Sequence, residues 1–357
     1  MNIAIIGGGA SGVLCAIKLK KAKPELDITL FEQNSRLLKK LLKTGNGKCN
    51  IMNSNITKEF YNDFSLFSNE FDIKQEFLDM GLVLKELTLG RIYPYSEQAS
   101  TVVNLLINEL ERLNVTIKVN YLVSDIKNSN NKFIINDSLR FDKVILSTGS
   151  ISQEKTNGYD ILKDLGLSVT PLRPGLVPIV TYEKTSHLSG LRVKAQTIIK
   201  DKKLEGELLF KDDGLSGILS LDISRLVDIN DVISFDLMSE YNSNELKNII
   251  KTKEALYGIF PKMLASDIIE RASGDIIKIV EIIKSYKFKV KSFKGFNESQ
   301  ITIGGLSLKE IDNNLMVKKI PNLYVTGEVL DIDGASGGYN LYFAWMSALI
   351  VSKAIIE

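Results

Sequence analysis

The sequence is poor in the residues that carry most metal and nucleophilic chemistry. Its 357 residues include one histidine, His187, and two cysteines, Cys15 and Cys49. A structural zinc site needs four ligands at short spacing, and a Ser-His-Asp or Cys-His mechanism would depend entirely on His187. Because His187 lies in the polar segment KTSHLSG, without a nucleophile elbow, we expect no metal site and a loop role for this residue. Redox chemistry would therefore need a bound cofactor.

The composition also lacks signs of a nucleic-acid or membrane partner. Lysine and arginine number 45 against 43 acidic residues, a net charge of +2, which does not favour polyanion binding. The stretch nearest to a membrane span, NLYFAWMSALIVSKAII at 340–356, is interrupted by Ser347, Ser352 and Lys353, which favours a buried helix. Two distant cysteines fit a reducing compartment. We expect a cytoplasmic protein with no membrane or nucleic-acid partner.

The first 32 residues contain a strand, a glycine-rich turn and a helix. NIAII at 2–6 predicts a buried strand, and it is followed directly by Gly7, Gly9 and Gly12 in G-x-G-x-x-G spacing. Apolar periodicity then predicts a helix that stops at Pro24, and ITLFE at 28–32 predicts a second strand.

Each part of this pattern has a mechanical reason. Gly7 allows the tight turn, Gly9 lets the backbone approach a pyrophosphate, and Gly12 lets the helix pack closely on the strand. The start of the helix offers unpaired N–H groups to the phosphates. Glu32, twenty residues beyond Gly12, can accept both hydroxyls of a ribose and would repel a 2′-phosphate. The order of these features predicts a dinucleotide site.

A second glycine-rich helix start lies near the other end of the chain. In the segment 321–350, NLYVT predicts a strand that ends at Gly327 and Glu328, and YNLYFAW opens an apolar helix. Such a second site suits a long ligand such as FAD, with its adenosine at 7–32 and its isoalloxazine at 327–340. Helix N–H groups there could stabilise negative charge on the reduced flavin. No second strand–glycine–helix unit follows, so NAD(P)H would have to share the substrate cavity.

With both ends interpreted, the chain resembles the BaiN/RdsA-like (YhiN-type) NAD(P)/FAD-dependent oxidoreductases, which have a glutathione-reductase-like FAD domain. The matching blocks follow family order over nearly the whole chain: IAIIGGGASG, LLKTGNGKCNIMN, GRIYPYSEQASTVV, VILSTGS, VTPLRPGLVPI, GLSGILSLDIS, ITIGGLSLKEID and LYVTGEVLDIDGASGGYNL.

The resemblance implies an α/β fold with a discontinuous Rossmann-like FAD-binding domain, an inserted β-rich, barrel-like domain and a small helical insertion. Strand patterns from about 170 to 238 and amphipathic helices after 242 agree with it. The expected boundaries are 1–168 and 303–357 for the FAD-binding domain, 169–241 and 288–302 for the β-rich domain, and 242–287 for the helical insertion. In the family, the two inserts cover the flavin and shape the substrate cavity.

The family's FAD contacts can be carried over residue by residue. They imply cofactor contacts from Gly7, Gly9, Ala10, Ser11, Gly12, Glu32, Gln33, Gly45, Asn46, Gly47, Lys48, Cys49, Asn50, Val123 on an adenine-side strand, Thr148, Gly149, Gly327, Glu328, Gly338, Tyr339, Asn340 and Leu341.

The loop at 45–50 departs from the family, which commonly has Gly-Gly-Gly-Arg-Cys-Asn there. Lys48 keeps the positive charge but loses the planar fork of arginine, and we expect it on the phosphate side. Cys49 has no CxxC partner, so we expect a small buried packing residue near the flavin. The loop's glycines and amides suit N–H donation to an anion. In GRIYPYSEQAS, Arg91 and Tyr93 are substrate-facing candidates, with a packed turn as the alternative.

The leading hypothesis is a flavoenzyme that takes hydride from NAD(P)H and passes it through flavin N5 to an activated C=C bond, as in a steroid or bile-acid enone. An enone also needs a proton donor, for which a tyrosine or lysine near the flavin could serve. The alternatives are a flavin-dependent amine (aminoacetone-type) oxidase and, from another class, a non-catalytic flavin-binding redox sensor or RNA-associated module. A plain NAD dehydrogenase is disfavoured by the C-terminal block. The substrate and the oligomeric state stay open.

Overall fold

A computed structural model describes residues 1–67, 70–129 and 132–357. The chain forms two compact units: unit 1 comprises Met1–Arg173 and Thr302–Glu357, and unit 2 comprises Pro174–Ile301. The further division of unit 2 into a β-rich and a helical domain stays a prediction.

The strands, in chain order, are β1 (Asn2–Ile6), β2 (Asp27–Phe31), β3 (Met52–Asn53), β4 (Leu84–Glu86), β5 (Arg91–Pro94), β6 (Thr116–Lys118), β7 (Ile126–Ser129), β8 (Lys132–Ile135), β9 (Leu139–Phe141), β10 (Lys143–Leu146), β11 (Arg173–Gly175), β12 (Ile179–Thr181), β13 (Arg192–Ile199), β14 (Lys202–Lys211), β15 (Gly214–Ser216), β16 (Val232–Phe235), β17 (Tyr286–Phe293), β18 (Ile301–Ile303) and β19 (Leu323–Val325). The α-helices are α1 (Ala10–Ala22), α2 (Ile73–Leu78), α3 (Ala99–Arg112), α4 (Gly158–Asp164), α5 (Gly217–Ile223), α6 (Ser243–Ile249), α7 (Lys262–Arg271), α8 (Ile276–Lys284) and α9 (Tyr339–Ile356).

Unit 1 is built on a parallel sheet with the strand order β19-β10-β1-β2-β6. The central strand β1 pairs with β10 on one side, with Ile5 opposite Ile145, and with β2 on the other. Its residues 3–6 are at most 4% exposed. A strand covered on both faces reads as a continuous apolar run, which is why NIAII predicted it correctly.

Helix α9 lies in the core of unit 1. In the described part of the chain, α9 is a helix long and apolar enough to cross a membrane, yet 67% of its residues are buried inside the protein. The serines that interrupt its apolar run are also buried and bonded: Ser347 Oγ donates to Ala344 O, and Ser352 Oγ donates to Ala348 O. The Cys15 thiol of α1 donates to Ala348 O at 3.3 Å. The prediction of a buried helix is confirmed.

A small antiparallel sheet, ordered β3-β5-β4, carries residues of the predicted site. In it, Met52 lies opposite Ile92 and Asn53 lies opposite Arg91. The strands β4 and β5 form a hairpin that turns at Thr88–Gly90. The sheet therefore joins the segment after residue 50 to the segment that contains Arg91.

The strand predicted around Val123 is absent from the described structure. β6 ends at Lys118, and residues 121–125 have no regular secondary structure. Asn120 has φ 52°, a left-handed conformation that ends a strand and that asparagine tolerates. The next N–H groups then donate backward, from Asn120 to Asn34 O and from Tyr121 to Glu32 O. Val123 therefore lies in a loop and not in a strand.

Unit 2 contains an antiparallel sheet with the order β13-β14-β15-β12-β17-β16. Its two outer strands approach each other, because Gln196 and Asp236 exchange backbone hydrogen bonds at 2.9 and 2.8 Å. Thr197 Oγ1 also donates to Ser234 O at 2.7 Å. The sheet is thus nearly closed, as the barrel-like prediction required.

The single histidine belongs to a polar cluster in unit 2. His187 Nε2 lies 2.6 Å from Oδ1 of Asp267, which is 6% exposed. Arg271 Nε lies 2.7 Å from Asp267 Oδ2, and the Tyr286 hydroxyl donates to the same oxygen. Asp267 is therefore a buried charge that is paired and fully bonded. His187 lies in the short 3-10 helix Ser186–Leu188, so the prediction of a hydrogen-bonded histidine is confirmed but its loop position is not.

Candidate functional site

In the turn between β1 and α1, the space for a side chain differs from one glycine of the G-x-G-x-x-G pattern to the next. A Cβ at Gly7 would lie 2.3 Å from Ser147 O, and a Cβ at Gly12 would lie 2.1 Å from Gly7 O. Only glycine fits either position. At Gly9 a Cβ would meet no atom within 4 Å. Gly9 caps α1 without a side-chain bond. The first N–H groups of the helix therefore lack intrahelical partners, and a helix start with open backbone beside it suits a phosphate.

The Glu32 carboxylate is held in place beside this turn. Its Oε2 accepts from Gly8 N at 2.9 Å, and its Oε1 accepts from both Asn34 N and Asn34 Nδ2 at 2.7 Å. Glu32 is only 9% exposed. Each carboxylate oxygen accepts about two hydrogen bonds, so acceptor capacity is left for a hydroxyl, and the backbone fixes its direction in advance.

An open cavity of about 390 Å³ lies at the carboxyl end of β2. Its lining residues are Gln33, Asn34, Lys39, Leu122, Gln153, Glu154 and Lys155. Gln33 Nε2 donates to Lys155 O at 2.5 Å. Val123, next to Leu122, is 2% exposed, and its carbonyl accepts from Asn157 Nδ2 at 2.8 Å. The structure thus brings Gln33 and the Val123 loop to one cavity near Glu32, where a nucleoside would fit.

The loop at 45–50 is strongly kinked. Positive φ values occur at Gly45 (56°), Asn46 (58°), Gly47 (81°) and Cys49 (58°). Inside the loop, Lys48 N donates to Gly45 O and Cys49 N donates to Thr44 O. These two N–H groups are therefore occupied by the loop itself and are not directed at an anion.

Two side chains of this loop are buried. Asn50 Oδ1 has no hydrogen-bond partner among the described residues, which leaves an acceptor for an N–H donor outside the chain. Cys49 is 0% exposed, and burial raises the pKa of its thiol to about 12. A thiol with such a pKa stays protonated and unreactive at neutral pH. The predicted burial of Cys49 is confirmed, and its position near the flavin stays a prediction.

Lys48 is paired with an acid of the protein itself. Its Nζ lies 2.7 Å from Glu97 Oε2, and Lys85 Nζ lies 2.6 Å from Glu97 Oε1. The hydrogen bonds from these two lysines hold the pKa of Glu97 at about 2. Lys48 as the charge on the phosphate side stays a prediction, and its ion pair with Glu97 would compete with that role.

The end of β10 faces the C-terminal segment of unit 1. A Cβ at Gly149 (φ 66°) would meet no atom within 4 Å, so the backbone there is open. The buried hydroxyl of Thr148 has no partner among the described residues. Lys40 Nζ lies 3.4 Å from Ser150 Oγ and 3.2 Å from Glu328 Oε2, which places a cation next to this opening.

Gly327 and Glu328 join this region to α1. A Cβ at Gly327 would lie 2.6 Å from Oγ of Ser11, in the first turn of α1. Gly327 N donates to Ser347 Oγ at 2.9 Å, and Thr302 N donates to Glu328 Oε1 at 3.1 Å. The two glycine-rich blocks, more than 300 residues apart in sequence, therefore meet at one place.

The start of α9 is pressed against β3. Its N-cap Gly338 has φ 102°, and a Cβ there would lie 2.6 Å from Met52 O. Asn53 Nδ2 donates to both Gly337 O at 3.0 Å and Leu89 O at 3.1 Å. The side chain of Asn53 thus ties the α9 loop to the hairpin turn.

Side chains of the first turn of α9 stabilise the same loop. Asn340 Oδ1 accepts from Gly334 N at 2.8 Å, and Asn340 Nδ2 donates to Gly334 O at 2.9 Å. The Tyr339 ring stacks on Phe60 with centroids 4.4 Å apart. Leu341 is half-buried. Asn340 and Tyr339 are therefore engaged in shaping the loop.

Arg91 and Tyr93 lie on one face of β5, opposite the buried face formed by Ile92 and Pro94. A Cβ at Gly337 would lie 3.6 Å from Arg91 Nε, and a Cβ at Gly45 would lie 3.2 Å from Tyr93 Cε1. In residues 1–67, 70–129 and 132–357, the Arg91 guanidinium has no ion pair or hydrogen bond. The strand therefore presents an unpaired cation and a phenol towards the two glycine loops.

The residues of unit 1 fit a bound FAD. The open backbone at Gly9 supplies space, and the oriented Glu32 carboxylate and the partnerless Asn50 Oδ1 supply hydrogen-bond acceptors. The sequence reasoning missed Lys40 and Asn53. Asn53 is the last residue of the family-matching block LLKTGNGKCNIMN, so its position in that block was the available signal. No group of three potential metal ligands occurs in the described part of the chain.

The fold and these contacts define the class as a Rossmann-like FAD-binding protein. The family described as HI0933-like protein Rossmann domain matches residues 1–354, and the chain belongs to this family. This membership confirms the predicted family, the fold class and a flavin-dependent oxidoreductase as the type of protein.

Named relatives extend over the whole chain. A 3-dehydro-bile acid delta(4,6)-reductase of Clostridium scindens is 29% identical over 100% of this chain and 99% of its own length. A ribosomal RNA dihydrouridine synthase of Haemophilus influenzae is 28% identical over 98% of this chain and 97% of its own. Among solved structures, a quinol-fumarate reductase with menaquinol is 11% identical, with a TM-score of 0.51 over 99% of this chain and 70% of that one, a likeness of fold.

Proposed function

We propose that the protein uses FAD and NAD(P)H to reduce a carbon–carbon double bond conjugated to a carbonyl group. The observation that carries this proposal is the unpaired Arg91 guanidinium beside Tyr93 on β5, near the glycine loops at 45 and 337. Such a cation can bind a carbonyl oxygen on which negative charge develops during the reaction.

The two named relatives support the same bond type. A delta(4,6)-reductase of a 3-dehydro-bile acid saturates C=C bonds in conjugation with the 3-oxo group. Formation of dihydrouridine saturates the C5–C6 bond of uracil, which is conjugated to the C4 carbonyl. The substrates differ greatly in size and polarity, but both products result from addition of a hydride and a proton across an enone-like bond.

The roles of the chain's own residues follow from their positions. The Gly7–Gly12 turn and Glu32 would hold the adenosine end, and Gly327 to Leu341 would hold the isoalloxazine end. When bound, FAD supplies a two-electron hydride carrier. Arg91 would orient and polarise the substrate carbonyl, and the Tyr93 hydroxyl would donate the accompanying proton. The sequence alone did not identify this proton donor.

The test begins with the purified protein and its absorbance spectrum. We expect flavin bands, then anaerobic bleaching by NADH or NADPH, then recovery on addition of a conjugated enone without oxygen. Arg91→Ala should lower kcat/KM for the enone by about 10²-fold, the effect of removing one donor to a developing oxyanion, with flavin content unchanged. Arg91→Lys keeps the charge and should recover part of this loss.

Other outcomes identify the alternatives. Bleaching by an amine but not by NAD(P)H would favour an aminoacetone-type oxidase. A bound flavin that neither donor reduces would favour a redox sensor. A protein without flavin would contradict the proposal itself.

A second candidate substrate, uridine in ribosomal RNA, is favoured by one feature of unit 2. Lys287, Lys289 and Lys291 alternate along β17 and are all exposed on one face. Lys289 Nζ lies 5.3 Å from the ring centre of Tyr182. This basic and aromatic face, which the sequence reasoning did not anticipate, suits a phosphate backbone and a stacked base. Replacement of the three lysines by glutamine should weaken RNA binding and its salt dependence if this candidate holds.

A further inference from the structure

Unit 2 has a cavity of about 340 Å³ at the ends of α7 and α8. Its lining residues are Arg271, Glu281, Ile282, Ser285, Tyr286 and Lys287. They belong to the last turns of the two helices and to the first residues of β17, so unit 2 forms this cavity by itself. Its volume is at the lower end of the range for small-molecule sites. The size therefore suits a small metabolite.

One side of the Arg271 guanidinium is fixed by the core of unit 2. Its Nε lies 2.7 Å from Oδ2 of the buried Asp267. Its central carbon lies 4.5 Å from the ring centre of Tyr286 and 5.1 Å from that of Phe288, and both rings are fully buried. Stacking on two buried rings fixes the plane of the guanidinium. The direction of its remaining N–H groups is therefore set before any ligand binds.

The other side of this guanidinium has donors to spare. An arginine carries five N–H groups. Apart from Nε, the Arg271 guanidinium makes one long polar contact in the described structure, 3.5 Å from Nη1 to Lys287 O. Two Nη groups on one planar fork match the two oxygens of a carboxylate. Because Arg271 lines the cavity, this fork is available to a carboxylate bound there.

The unpaired charges at the cavity are one acid and one base. Glu281 and Lys287 are both exposed, and neither forms an ion pair with any described residue, whereas Asp267 balances the charge of Arg271. Glu281 lies in the last turn of α8, where the helix end adds partial negative charge that favours a cation. A dianion would meet this negative charge. A ligand with one carboxylate and one ammonium group finds a partner for each.

We propose that this cavity binds a small α-amino acid with an apolar side chain. The carboxylate lies on the Arg271 fork and beside Lys287, the ammonium group on Glu281, and the side chain against the half-buried Ile282. The inference goes beyond the proposed function, because neither the flavin nor an enone takes part in it.

The test measures binding by isothermal titration calorimetry with the full-length, FAD-loaded protein. The probes are L-leucine, 4-methylpentanoate, which is leucine without its amino group, and 3-methylbutylamine, which is leucine without its carboxylate. The variants are Glu281→Gln and Arg271→Lys. Glu270→Gln is the matched control, since Glu270 is an exposed acid of α7 that does not line the cavity. Urea titration checks that each variant is folded, and the exposed Glu281 can be replaced without loss of the core.

We expect the parent to bind L-leucine about tenfold more tightly than either analogue, the effect of one hydrogen-bonded charge. Glu281→Gln should weaken L-leucine binding about tenfold and leave 4-methylpentanoate unchanged, because that analogue has no ammonium group. Arg271→Lys should weaken both carboxylates about tenfold, because lysine lacks the fork. Glu270→Gln should bind all three probes like the parent.

A parent without saturable binding of L-leucine would overturn the inference. Equal weakening of L-leucine and 4-methylpentanoate in Glu281→Gln would also overturn it, since the carboxylate of Glu281 would then not contact the ammonium group. Tighter binding of inorganic phosphate than of L-leucine would do the same and would assign the cavity to a phosphate ligand. Reduction of the flavin is not measured in any of these titrations, so failure of the proposed reaction leaves their outcome unchanged.

Discussion

Replacement of Asn53 by alanine is the sharpest test of how the candidate site is assembled. The Asn53 side chain is 2% exposed and makes three hydrogen bonds: Nδ2 donates to Leu89 O and to Gly337 O, and Oδ1 accepts from Asn55 N. A buried hydrogen bond contributes about 1 kcal/mol net, so Asn53→Ala should lower the free energy of unfolding by about 3 kcal/mol. Such a loss is a large part of the 5–15 kcal/mol of a typical protein.

The single tryptophan allows this loss of unfolding free energy to be measured for unit 1 itself. Trp345 is fully buried in α9, and its Nε1 donates to Ile51 O at 3.1 Å. Its fluorescence during urea titration therefore reports the unfolding of unit 1. With an m-value of about 3 kcal/mol per molar, the expected loss moves the midpoint down by about 1 M.

The matched control is Asn128→Ala, because Asn128 is exposed on β7. Surface substitutions of this kind change stability by no more than about 0.5 kcal/mol. An Asn53→Ala protein with the midpoint of the control would refute the assembly described here. Asn53→Asp adds a sharper comparison, since it keeps the acceptor for Asn55 but directs a carboxylate at two carbonyl oxygens.

Three further predictions concern the glycines, a cysteine and a surface ion pair. Gly12→Ala should unfold more easily and lose flavin, because its Cβ would lie 2.1 Å from Gly7 O. Gly9→Ala should keep its stability and lose only FAD affinity, because a Cβ there meets no atom of the protein within 4 Å. Thermal melts measure the stability of both variants, and flavin absorbance measures their FAD content. Cys49 should resist iodoacetamide at pH 8 in the folded protein, because burial raises its pKa to about 12, and should react in urea. The pKa of Glu97 is lowered from 4.5 to about 2, so the stabilising effect of its carboxylate is lost as the pH falls through that range. In Glu97→Gln, the urea midpoint should therefore fall less between pH 4.5 and pH 2 than it does in the parent protein.

Each of these has an outcome that contradicts it. A Gly9→Ala protein that keeps the parent's flavin content would show that the open space at Gly9 is not the cofactor's, and a Gly12→Ala protein that melts like the parent would contradict the crowding at Gly12. Rapid modification of folded Cys49 would mean that the loop at 45–50 opens readily. A Glu97→Gln protein with the parent's acid sensitivity, at low salt where the pair is least screened, would remove Glu97 as the cause.

The local parts of the fold were predictable because neighbouring residues determine them. β1 was predicted at 2–6 and lies at Asn2–Ile6, since an apolar run followed by glycine admits few other structures. The space around the three glycines also agrees with the pattern, because Gly7 and Gly12 are crowded and Gly9 is open, while the approach of a pyrophosphate to Gly9 stays a prediction.

The parts that depend on distant residues were not predictable from patterns. The strand expected around Val123 was wrong because a left-handed Asn120 ends β6, and nothing in the apolar alternation reports that turn. Lys48 was expected on the phosphate side from the family resemblance and its charge, which stays a prediction, but the sequence did not show that an acid 49 positions away lies 2.7 Å from its Nζ. The bridge from Asn53 to both Leu89 and Gly337 spans up to 284 residues. Which residues pair over such sequence separations is determined by tertiary packing and not by the local pattern.

The discontinuity of unit 1 has a consequence for the order of events during synthesis. Its sheet needs β19 beside β10, and α9 packs on α1, so the unit stays incomplete until residues 323–356 have been made. Unit 2 is one continuous segment, Pro174–Ile301, and domains fold as their own segments emerge. We therefore expect unit 2 to become protease-resistant on the ribosome before the two segments of unit 1 have packed together. Cofactor capture would then be among the last steps of the chain's maturation, and a ribosome stalled before residue 323 should carry no flavin.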